Sequence, residues 1–166
     1  MAFFSGSALA AFLITAVIFI HFQALRLLSA WHEATRLPGH TRILLIIFAL
    51  FAAHVMEAVV FAGGYWAGED WLRIGLFAGA RPVDMMSLLY FSLEAFTTQG
   101  IGDIYPIGVL RLVASLEPLA GLVLIGWSAS FTFLLMAREW QVSAPLQRKN
   151  AEPTATTPSP KFARAK

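Results

Sequence analysis

Long apolar runs broken by short polar turns set the pattern of the chain. The first runs from about Ala8 to Leu28 and the second from about Ile43 to Tyr65, ending at Gly63 and Gly64. The last runs from about Val109 to Met136. A helix needs about 20 such residues to cross the hydrocarbon, so each is long enough to span. The last, roughly 42 Å long at 1.5 Å per residue, should tilt, bend or project beyond the bilayer. WHEATRLPGHTR joins the first two runs, with Pro38 and Gly39 breaking the helix.

A fourth apolar segment, Asp84 to Thr97, is too short to cross as a helix and reads as re-entrant or interfacial. Lysine and arginine give the orientation. Arg26, Arg36 and Arg42 flank the first loop, and Arg138, Arg148, Lys149, Lys161, Arg164 and Lys166 follow the last run. In the middle loop Arg73 and Arg81 are diluted by Glu69, Asp70 and Asp84. The expectation is three crossings, with the N-terminus and the short segment outside and the C-terminus cytoplasmic, in a cell membrane. MAFFSGS lacks a positive leader region and no small-residue cleavage site follows the apolar core, so the first run is read as a retained helix.

Composition agrees: 58% of the 166 residues are hydrophobic and 13% charged, with a mean hydropathy of +0.68. So small a soluble domain has too much surface to hide that much apolar material. The net charge of +2 is spread beside apolar runs and forms no nucleic-acid-binding stripe. Without cysteine there are no disulfides or thiolate sites. No catalytic triad or phosphate-cradling loop stands out, so the chain is not read as an enzyme, and no ladder of arginines suggests a voltage sensor.

Within SLLYFSLEAFTTQGIGDIYP a short helix ends at Thr97 and Thr98, and glycines follow at alternate positions, Gly100 and Gly102. Non-helical backbone is tolerated at membrane depth only where protein surrounds it or it lines water. Glycine at alternate positions permits positive φ, which turns consecutive carbonyls to one side. Such a row replaces the hydration shell of a cation. Asp103 would close its outer end.

This stretch resembles the pore loop of the potassium-channel superfamily, whose filter motif is TVGYG. The resemblance covers Tyr90 to about Met136 and extends more loosely back to Arg42. It implies an all-α integral membrane protein: three transmembrane helices with a re-entrant pore helix and filter loop, assembling as a homotetramer. The implied layout is an N-terminal helix (1–30), a pore domain (42–140) and a disordered cytoplasmic tail (141–166). Within the pore domain fall an outer helix (43–65), a pore helix (85–97), a filter (98–103) and an inner helix (109–138). By motif position, Thr98, Gln99, Gly100, Ile101 and Gly102 form the filter, and carbonyls of Thr98, Gln99, Gly100 and Ile101 bind K+, with no other cofactor. Thr97, Glu94 and Asp103 support it, Glu94 sharing a proton with Asp103. Pro118, Gly121 and Gly126 are the gating candidates, Pro118 by kinking the helix and the glycines by hinging.

Ile101 stands at the usual tyrosine position and Gln99 at the usual valine or isoleucine, its side chain expected toward Glu94. These departures keep open a weakly selective monovalent cation channel of the same fold. A non-conducting membrane protein that binds or senses is the alternative from another class. Inside the membrane, His54 and Glu57 share a helix face three residues apart, read as a hydrogen-bonded lock to a neighbouring helix ahead of a proton- or ion-sensitive element controlling the gate. Two such residues are too few for a metal site. Glu117 is expected to bind a backbone group behind the filter, pair with His54 or face the cavity. His21 should bond to a neighbouring helix.

Overall fold

The computed structural model describes residues 1–79 and 83–151, with side chains through Trp140. Its elements in chain order are α1 (Ala2–Ala34), α2 (Gly39–Asp70), β1 (Gly75–Gly79), α3 (Met85–Phe96), β2 (Ile104–Gly108) and α4 (Leu110–Ala151). Ala2–Ala34, Gly39–Asp70 and Leu110–Trp140 are long and apolar enough to cross a membrane. Only 22%, 22% and 28% of their most apolar windows is buried. Phe12, Phe19, Phe48, Phe51, Phe133 and Leu134 lie open on the outside, far more apolar surface than a soluble monomer exposes. Lipid or further copies of the chain must cover it.

Along the helix axes the core has two parts. Ala10, Leu13 and Val17 of α1 meet Phe61, Ala62 and Tyr65 of α2 and Leu110, Val113 and Leu124 of α4, with Leu88 and Phe96 of α3 packed among them. A smaller cluster of Leu25, Ile46, Leu50 and Leu135 closes the other end. There Glu139 meets Arg42 at 2.6 Å and His32 at 3.4 Å. The α1–α2 turn and the distal part of α4 therefore lie together, as an even number of crossings between them requires.

Helix α2 does not end at Gly63 and Gly64 but continues to Asp70. A Cβ on Gly64 would lie 2.4 Å from Leu13 Cδ1, and one on Gly68 2.6 Å from Leu110 Cδ2. Gly64 and Gly68 let neighbouring helices close up, the usual work of small residues in membrane bundles. Pro38 precedes the first turn of α2, where its missing N–H costs nothing.

One departure from a purely helical chain is a two-stranded antiparallel sheet pairing Gly75 with Gly108 and Gly79 with Ile104. The strands flank α3 and the loop after it, so the excursion leaves and returns at one place. The strand register thus ties the two ends of this excursion together. The sheet lies near the start of α1, where a Cβ on Gly6 would strike Val109. Helix α4 is continuous through Pro118 and extends to Ala151, so residues 141–151 are helical where composition suggests disordered tail. Residues 152–166 of that tail lie outside the described residues.

Candidate ion pore

Helix α3 has 12 residues, about 18 Å at 1.5 Å per residue, which is roughly half a membrane. Asp84 caps its start, accepting from the backbone N–H and the hydroxyl of Ser87, both at 2.7 Å. The Ser87 hydroxyl first, then its N–H, holds the Asp84 carboxyl below the ordinary range. Tyr65, Phe77 and Phe91 form an edge-to-face cluster, with ring centroids 4.9–5.4 Å apart, joining α2, β1 and α3.

The end of α3 takes an unusual residue. Thr98 N–H donates to the Ala95 carbonyl and Gln99 N–H to the Glu94 carbonyl, the pair of bonds that defines a Schellman cap. The left-handed position of that cap normally belongs to glycine. Here Thr98 occupies it with φ +63°, a genuine outlier for a β-branched residue. Left-handed φ recurs at Gly100 (+59°) and Gly102 (+81°). Thr98, Gly100 and Gly102 therefore alternate with their neighbours, the backbone rhythm expected at the glycines, begun one step earlier at a threonine.

Residues 97–103 are all exposed in the single chain. Gln99 bonds to Glu94 through its backbone N–H, and among the described residues no side-chain hydrogen bond joins the two, although the Gln99 side chain was expected toward Glu94. Asp103 accepts from the Ile104 N–H at 2.9 Å; within the described residues it makes no hydrogen bond with Glu94. Thr97 bonds back to the Leu93 carbonyl at 2.7 Å, finishing the helix.

Behind α3 lies a buried polar centre that joins three helices. Glu117 of α4 is fully buried. It accepts from the Tyr65 hydroxyl of α2 and from Ser92 Oγ of α3 at 2.5 Å. Ser92 also lies 2.8 Å from the Ala58 carbonyl. Of the expectations for Glu117, bonding behind the filter region fits best, though to side chains, and among the described residues no bond joins it to His54. Sequence reading missed Tyr65 and Ser92. Ser92 did carry a signal, lying four residues after Leu88 and four before Phe96 on the buried face of α3.

A second centre stands nearer the bundle middle. Glu57 Oε2 lies 2.9 Å from His54 Nδ1, as their spacing implied. Its Oε1 lies 2.8 Å from His21 Nδ1 on α1, which gives His21 its interhelical partner. Gly121 and Gly126 differ in their surroundings. A Cβ on Gly121 would lie 2.1 Å from the Phe96 carbonyl, whereas one on Gly126 meets nothing within 4 Å. Gly121 thus seats the end of α3 against α4.

No curated protein and no solved structure matches the chain. A family model described as ion channel matches residues 41–138, which takes in α2, the sheet, α3, the loop and the spanning part of α4 and leaves α1 outside. Matched over more than half its length, this multi-pass membrane chain belongs to that ion-channel family, within the potassium-channel superfamily.

Proposed function

We propose that the chain forms a homotetrameric potassium channel, four copies each lending one TTQGIGD loop to a central filter. The observation that carries this reading is the alternation of left-handed φ at Thr98, Gly100 and Gly102 in a loop held between paired strands. One loop cannot encircle an ion. Its exposed backbone cannot face lipid either, since unpaired peptide groups cost several kcal/mol each there, roughly. A shared aqueous axis resolves both problems. Carbonyls of Thr98, Gln99, Gly100 and Ile101, with the Thr98 hydroxyl, bind dehydrated K+, and ions advance by mutual displacement down their gradient. Asp103 adds negative charge at the outer mouth, and no catalysis is involved. The N-terminus and pore loop face outward and the C-terminus the cytoplasm, following the basic residues.

Ile101 is 69% exposed and brings no phenolic hydroxyl to brace the loop. With Gln99 lacking a side-chain bond among the described residues, this favours weaker discrimination among monovalent cations as the second reading. Native mass measurement and liposome K+ flux test the proposal together. A four-chain particle conducting K+, and a Gly100→Val variant that assembles without conducting, support it. A monomer, or equal flux through Gly100→Val, defeats it.

A further inference from the structure

The second polar centre draws on three helices and includes α1, outside the matched family segment. His21 and Glu57 are fully buried, Ser128 is buried, and the His54 side chain is 18% exposed. Each Glu57 oxygen faces the Nδ1 of a different imidazole, at 2.8 and 2.9 Å. The two Nε2 atoms face one oxygen, Ser128 Oγ, at 3.1 Å from His54 and 3.3 Å from His21. The rings are stacked with centroids 5.2 Å apart, and His21, His54 and Glu57 offer ligand atoms within 4.8 Å of one another.

Hydrogens decide what the cycle lacks. Its contacts number four, whereas two neutral imidazoles and one hydroxyl supply three hydrogens and an ionised carboxylate supplies none. Glu57 has no lysine or arginine partner among the described residues. A buried carboxylate with two neutral imidazoles is thus one cation short, in a region where unpaired charge is expensive.

We propose that His21 Nδ1, His54 Nδ1 and a Glu57 oxygen bind one divalent transition-metal ion of the zinc or cobalt type. Two imidazoles and a carboxylate are a recurrent donor set for such ions. Bonds of about 2.0–2.2 Å put tetrahedral ligands roughly 3.4 Å apart, and the three donor atoms already lie within 4.8 Å of one another. With Nδ1 on the metal, both rings carry Nε2–H and both donate to Ser128 Oγ. Every ring nitrogen is then satisfied, and Ser128 orients the ligands, as outer-shell partners of metal-binding histidines do. The rings of Trp127 and Phe96 lie 5.6 Å from His21 and 5.8 Å from His54 and limit water around the centre. A groove between α2 and α4, lined by His54 and Ser128, gives a way in. The ion clamps α1 to the pore domain.

The test uses the full chain, tag-free, stripped with chelator and titrated with Co2+. Expected is a visible d–d absorption band from protein-bound cobalt, saturating at one ion per chain and erased by Zn2+. The band should vanish in His54→Ala and Glu57→Gln and persist in His40→Ala. Ser128→Ala should keep the stoichiometry with affinity about 10–100-fold weaker. The unmodified chain decides the matter even if a variant folds poorly. A cycle that takes up protons but no cobalt or zinc overturns the proposal. So does a band that survives the paired substitution His21→Ala with His54→Ala.

Discussion

At the residue scale, Thr98 carries a conflict between backbone and chemistry. A left-handed φ costs a β-branched residue about 1–2 kcal/mol, whereas glycine there would cost about 0.5–1 kcal/mol in lost freedom. Thr98→Gly is therefore expected to leave thermal stability unchanged or raise it by up to about 1 kcal/mol, while weakening selectivity for K+ because the hydroxyl is gone. A melt and a flux assay on the same preparation check both parts; a loss of stability would contradict the strain at Thr98, and intact selectivity would contradict a role for its hydroxyl in the filter. What the sequence revealed at this scale depended on spacing. His54 and Glu57 advertised their pairing because they lie three apart on one helix. Ser128 and Tyr65 come from distant parts of the chain, and isolated polar residues in apolar runs name no partner. Gln99 was assigned a contact from its position in a motif, yet only its backbone reaches Glu94.

Helices and strands make separate demands. The three spanning helices and the short α3 were legible because length alone separates a crossing from a half-crossing. The strands were not: GLFAG and IYPIG are short and glycine-flanked, and Pro106 argues against a strand, though it is tolerated at an edge. Glycine pairs likewise read as helix stops, when Gly64 was a contact for Leu13. That distinction separates the two glycines proposed for gating. Gly121→Ala should lower the melting temperature, because its methyl group meets the rigid Phe96 carbonyl. Gly126→Ala meets open space and gains helix propensity of up to about 1 kcal/mol. If Gly126 hinges α4, its alanine variant changes open probability without loss of stability; unchanged single-channel gating would remove it from the candidates. At the other end of the pore helix, the Asp84 cap has a pH signature. Its carboxyl is held below the ordinary range by Ser87, so its stabilisation is complete above that range and is lost as pH falls through the lowered value. Asp84→Asn caps without titrating, and its melting temperature should fall less under acid than that of the unmodified chain. Parallel acid profiles would refute the assignment.

On the scale of the whole molecule, the single chain is incomplete in two places. Its helices expose apolar faces, and its loop exposes backbone that must meet either water or other copies. The proposed four-fold assembly would bring the loops to one axis and leave α1 packed against α2 and α4, fastened by His21 at mid-height and by His32 near Glu139. The most direct measurement of the central claim is the reversal potential of purified protein in a planar bilayer, with potassium on one side and sodium on the other. A potassium-selective carbonyl filter requires a strong shift toward the potassium equilibrium value. Clear current reversing near zero would contradict it, and would make Gln99 and Ile101 the residues that cost the pore its selectivity.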